Sequence, residues 1–128
     1  MPASIVGKSM KMGEARVTVR VHGTKDQREV EMLVDTGALY TKLSPSLARE
    51  LGITPNEVIK VRLADGSSRE ASLADAVIEY GASKRAVTVL VGPGDTLLLG
   101  VTTLEALRLK VNPVDGTLEP TIPYLYAM

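Results

Sequence analysis

Apolar and polar positions alternate strictly from Ala15 to His22 (A-R-V-T-V-R-V-H), the two-residue period of a strand with one buried and one wet face. A turn over Gly23-Thr24-Lys25-Asp26 follows, and the alternation resumes from Arg28 through Val30, Met32 and Val34. Two such runs around a Gly-containing loop predict a β-hairpin, whose second strand runs directly into Asp35. Ser44-Pro45 reads as a helix start, a hydroxyl cap followed by proline at the first helical position. That helix is expected to run through Leu47, Ala48 and Leu51 and to stop at Gly52. Ile59, Val61 and Leu63 alternate up to Ala64-Asp65-Gly66-Ser67, where Asp-Gly marks a tight hairpin turn. The chain returns as a strand over 69–80, and Val87, Val89 and Val91 mark another that starts at Arg85.

After the loop Gly92-Pro93-Gly94-Asp95, Leu97-Leu98-Leu99 reads as a short buried strand ending at Gly100. Thr102 or Thr103 is the expected cap of a helix through Leu104, Leu107 and Leu109. Val114-Asp115-Gly116 predicts a further turn, and Thr121 to Tyr126 an extended segment. Residues 1–13 show no periodicity. The expected organisation is a flexible segment over 1–14 and one domain over 15–128, with no repeat or linker.

Composition narrows the choices. Apolar residues make up 45% of the chain and charged residues 23%, a globular balance. Phe and Trp are absent, so Val, Leu, Ile, Ala and Tyr must build the core, which leans the fold towards β. Fifteen basic and fifteen acidic side chains cancel, which argues against binding nucleic acid or an anionic membrane surface. No apolar run is long enough to span a bilayer and no signal-peptide core is visible, so the expected location is cytoplasmic. Without cysteine there is no disulfide framework and no thiol chemistry, and no cofactor or metal is expected. His22 stands before Gly with no second His, and reads as an exposed turn residue rather than a ligand. The Gly92-Pro93-Gly94 loop lacks the Lys-Ser/Thr ending of a phosphate loop.

The candidate chemistry lies in Met32-Leu33-Val34-Asp35-Thr36-Gly37-Ala38. A carboxylate at the end of an apolar strand is costly to bury unless something pairs with it or shares its proton. Gly37 permits positive φ or close approach of another chain, and the Thr36 hydroxyl can bind neighbouring backbone groups and orient the carboxylate.

Leu33-Val34-Asp35-Thr36-Gly37-Ala38 with Thr41 behind it, followed later by Leu98-Leu99-Gly100 and a helix, resembles the retropepsin-like aspartic proteases. These are single-lobe relatives of pepsin that include retroviral and DNA-damage-inducible-type proteases. The resemblance spans roughly residues 15–112, and the Ala64-Asp65-Gly66-Ser67 hairpin falls where such enzymes carry a substrate-covering flap. It implies a mostly β, closed half-barrel of six or seven strands with one or two short helices, assembled as a homodimer. It also implies peptide-bond hydrolysis by two Asp35 carboxylates, one from each subunit, that share one proton. In that scheme Thr36 bonds across the two-fold axis, and Gly37 and Ala38 leave room for substrate backbone. Leu39 and Tyr40 form pocket walls, and Ala64, Asp65, Gly66 and Ser67 close over a peptide or unfolded-protein substrate. The pockets suggest apolar side chains beside the scissile bond.

Three features depart from the retroviral pattern. An acidic residue soon after the motif and an Arg after the later Gly are replaced by Leu39 and Val101, so their ion pair is absent from both sides. The flap also lacks a Gly-rich tip, and residues 113–128 have no counterpart in the resemblance.

Other readings remain for the same residues. Asp35 could simply cap a turn, or the fold could serve as a catalytically inactive dimer that binds peptides or proteins. A haloacid-type phosphatase is excluded, because it needs a second carboxylate where Gly37 stands.

Overall fold

The computed structural model describes residues 15–121. Strands β1 (Arg16–His22) and β2 (Gln27–Val34) form the expected antiparallel hairpin, in register from Arg16 opposite Leu33 to His22 opposite Gln27. Their inward residues Val19, Val21, Met32 and Val34 are buried in the core. The loop between them does more than reverse the chain. Gly23 lies so close to the end of α1 (Pro45–Leu51) that a Cβ there would sit 2.0 Å from the Leu51 carbonyl oxygen. Lys25 N–H donates to that oxygen at 2.9 Å, and the Thr24 hydroxyl donates to Gly52 O at 2.7 Å. The hairpin loop thus satisfies carbonyls that a helix end leaves unpaired. At the other end of α1, Ser44 Oγ accepts from Leu47 N at 3.2 Å, as the Ser-Pro start predicts.

The long strand β5 (Ser68–Tyr80) organises the rest. Its first half pairs with β4 (Pro55–Arg62) and most of its length pairs with β6 (Ser83–Val91), both antiparallel. Its end meets β1, with Arg20 opposite Glu79 and His22 opposite Val77. That last pairing closes the sheet β1-β2-β7-β3-β6-β5 on itself and leaves the β4–β5 hairpin projecting. Inside the closure lie Met32, Leu43, Leu51, Ile78, Val89 and Leu99, fully buried aliphatic side chains in place of aromatics. Each contributes about 1.5–3 kcal/mol through its removal from water.

Between β2 and β3 (Thr41–Leu43) runs β7 (Leu98–Leu99), parallel to β2 and antiparallel to β3, while β3 lies parallel to β6. Helix α2 (Val101–Leu107) begins at Gly100, so Thr102 and Thr103 are not caps but lie within its first turn. It also stops earlier than the leucine spacing predicts. Arg108 turns left-handed (φ 59°), and Leu109 opens β8 (Leu109–Val111), which pairs with β9 (Leu118–Pro120) around the expected turn at 114–116. His22 is a further correction. Its side chain is largely buried and its Nε2 lies 2.8 Å from Glu79 Oε1, because the β1–β5 closure brings the two together. This hydrogen bond holds the Glu79 carboxyl below its usual range. The expected flexible segment over 1–14 and, beyond Thr121, the extended segment expected up to Tyr126 lie outside the described residues.

Candidate active site

Strand β2 delivers Asp35, and β7 secures it: Asp35 N–H donates to Leu99 O at 3.0 Å, continuing the parallel ladder by one residue. The carboxylate is fully buried. Its Oδ1 accepts from Gly37 N at 2.9 Å, and Ala38 N–H donates to Asp35 O at 3.1 Å, so the chain folds tightly around the acid. Oδ2 is buried and has no hydrogen-bond partner. Leaving such an oxygen unsatisfied costs about 1–3 kcal/mol, more if it is charged. The next two residues, Thr36 and Gly37, are exposed.

Two expectations for this loop need correction. Gly37 is not among the glycines with positive φ; it serves through its N–H, which orients the carboxylate. The Thr36 hydroxyl makes no hydrogen bond among the described residues and does not orient Asp35 within one chain.

The start of α2 clamps the loop. Val101 N–H donates to Ala38 O at 2.8 Å and Thr102 N–H to Leu39 O at 3.1 Å, with the Thr102 hydroxyl adding a second bond to Leu39 O at 2.8 Å. Thr41 Oγ1 accepts from Gly100 N at 3.0 Å and donates to Thr103 Oγ1 at 2.7 Å, both hydroxyls being fully buried. Gly100 must be glycine here, since a Cβ would come within 2.4 Å of the Tyr40 carbonyl group. Where an acid–Arg pair is missing at Leu39 and Val101, main-chain groups and threonine hydroxyls tie the same two segments together. The sequence pattern marks Thr102 and Thr103 as caps rather than tertiary contacts; their signal was two hydroxyls one residue beyond an apolar-apolar-Gly run.

Leu39 is 58% exposed and Tyr40 half-buried, so both present surface beside Asp35. Ala64, Asp65, Gly66 and Ser67 sit together at the exposed tip of the β4–β5 hairpin. Asp65 Oδ1 accepts from Ser67 Oγ at 2.6 Å and from Ser67 N at 2.9 Å, and these bonds hold its carboxyl below the usual range. No hydrogen bond joins this tip to the Asp35 loop among the described residues. Asp35 to Tyr40 thus form one continuous loop, and residues 64–67 form the tip of a different hairpin. No group of three His, Asp or Glu that could hold a metal occurs among the described residues. No described helix is long and apolar enough to cross a membrane.

Comparison with solved structures finds the EIAV protease complexed with the inhibitor HBY-793, with a TM-score of 0.63 at 19% sequence identity. The match covers 78% of this chain and 91% of that one, and at this identity it shows the fold. No curated protein matches the sequence. Residues 17–106 match the family model described as "gag-polyprotein putative aspartyl protease". That match takes in β1 through nearly all of α2, with Asp35 and its clamp inside it, and the chain belongs to this retropepsin-like aspartic protease family.

Proposed function

We propose that this protein is an aspartic endopeptidase whose working unit is a symmetric homodimer, with Asp35 as the catalytic residue in each subunit. The observation that carries this reading is the fully buried Asp35 carboxylate whose Oδ2 has no partner, followed in the chain by the exposed Thr36 and Gly37. A second copy across a two-fold axis offers that oxygen a like carboxyl, and two carboxyls this close hold one proton between them. The ionised one takes a proton from water as the water oxygen attacks the peptide carbonyl carbon. The protonated one hydrogen-bonds the carbonyl oxygen and then supplies the proton that lets the amine depart.

In this scheme Thr36 bonds across the axis, Gly37 and Ala38 admit the substrate backbone, and Leu39 and Tyr40 favour apolar side chains beside the scissile bond. Ala64, Asp65, Gly66 and Ser67 close over the peptide and exclude water. The substrate is a peptide or unfolded segment in extended form, which can add to a strand edge. A chain without cysteine fits action in the cytoplasm.

Mass spectrometry of an unfolded protein incubated with wild type or Asp35→Asn across pH 4 to 7, at several enzyme concentrations, tests the reading. Cleavage lost in Asp35→Asn and rising faster than linearly with enzyme concentration is expected. A confirmed dimer that cuts nothing would instead favour a peptide-binding module.

A further inference from the structure

Lys42 lies between two buried residues of β3, Thr41 and Leu43, so its side chain takes the opposite face of the sheet. The register identifies that face. Lys42 stands opposite Leu98 of β7, and Leu98 opposite Leu33 of β2, one row across three strands. Leu33 is buried yet outside the main core cluster, whereas its neighbours Met32 and Val34 belong to it. Asp35 follows Leu33 by two residues. Lys42 and Asp35 therefore share the side of the sheet turned away from the core.

The ammonium is fixed rather than free. Lys42 Nζ donates to Thr96 O at 2.8 Å and to Gly94 O at 3.2 Å, which pins the loop leading into β7. Among the described residues its third donor has no partner and no carboxylate lies within ion-pair distance. Half-burial lowers its pKa from the ordinary lysine value, and the charge of nearby Asp95 acts against that shift. Thr96 lies three positions before Leu99, whose carbonyl receives the Asp35 N–H; at strand rise that is about 10 Å. An extended peptide crossing Asp35 covers the same span in about three residues. A pinned, half-buried, unpaired cation thus stands within reach of side chains close to the scissile bond.

We infer that Lys42 determines specificity: its ammonium, anchored on the Gly92–Thr96 loop, favours substrates with Glu or Asp a few residues from the scissile bond. The inference rests on the cleft proposed above and adds one acidic subsite to its apolar ones.

The test uses the full chain and short peptides in pairs that differ only by Glu or Gln at one position, scanned along the peptide. Each pair is made with a reduced, uncleavable central bond for binding and with a normal bond for hydrolysis. At one position wild type should bind the Glu peptide about tenfold tighter, the size of one charge-assisted hydrogen bond in a partly wet site. Lys42→Met should bring the ratio to about one by weakening the Glu peptide more than the Gln peptide; Lys42→Arg should keep the preference, and added salt should shrink it. Equal affinities at every position, no binding at all, or equal loss of both peptides in Lys42→Met would overturn the inference, the last reducing Lys42 to a loop strap. A Glu preference without hydrolysis of the normal bond would uphold Lys42's role and overturn the endopeptidase reading.

Discussion

Gly100 packs directly against the Tyr40 carbonyl, leaving no room for even one methyl group between the start of α2 and the loop that carries Asp35. A Cβ at 2.4 Å from main-chain atoms cannot be relieved by turning a side chain. Gly100→Ala should therefore push the Asp35 loop off α2 and destabilise the chain by about 2 kcal/mol or more, as overpacking does. Denaturant unfolding measures this through a lower midpoint at unchanged slope. A midpoint equal to wild type would mean that the loop yields freely, contrary to a rigid clamp.

Thr41 is the second hold on the same loop. Its hydroxyl accepts the Gly100 N–H and donates to Thr103, and Thr41→Val strands both groups in the core. The expected loss is about 1–3 kcal/mol, the cost of leaving buried polar groups unsatisfied. Thr103→Val should cost less, because Gly100 N keeps its acceptor. The double variant should fall short of the sum of the two, since both remove the same hydrogen bond. Strict additivity in a double-mutant cycle would show that the two hydroxyls do not interact.

These contacts also show why some of the fold was legible in the sequence and some was not. The β1–β2 hairpin, the start of α1 and the turn at Asp65-Gly66 rest on alternation, capping and turn chemistry within a few residues, and all were readable. Strand β3 is three residues long and exists because β6 and β7 flank it, so no local pattern announces it. Thr102 and Thr103 look like caps, yet their hydroxyls bond Leu39 O and Thr41, residues about sixty positions away. Leu109 continues the leucine spacing of α2, but Arg108 turns left-handed and pairing with Pro120 makes Leu109 part of a strand. At the site, Asp35 was legible from its own neighbours. The unsatisfied Oδ2 and the placement of Lys42 depend on tertiary packing and strand register.

The tip of the β4–β5 hairpin carries its own pH signature. Ser67, through its hydroxyl and its N–H, depresses the Asp65 carboxyl in the folded chain. The stabilisation this gives the turn is fully present above the unfolded pKa of Asp65 and is lost as pH falls through the lower folded value. Ser67→Ala removes the largest cause and should move the Asp65 titration midpoint up towards that of a free carboxylate. NMR titration of the side-chain carboxyl carbon follows this directly. An unmoved midpoint would assign the depression to the remaining causes, the Ser67 and Asp65 N–H groups and the Arg69 charge.

A dimer built on an Asp35 pair should respond to pH through that pair. If two Asp35 carboxyls meet on the axis and share a proton, the dimer holds more protons than two separate chains over the range where separate carboxyls are ionised. Linkage then makes association tighter as pH falls into that range and weaker as pH rises and the shared proton is lost. Asp35→Asn keeps an acceptor for the Gly37 N–H but carries no charge, so its dimer constant should be nearly independent of pH and should exceed that of wild type at neutral pH. Sedimentation equilibrium across pH 4 to 8 gives both curves. Parallel curves for the two proteins would place the carboxyls apart in the dimer, and with them apart no proton could pass between water, peptide and acid in a single site.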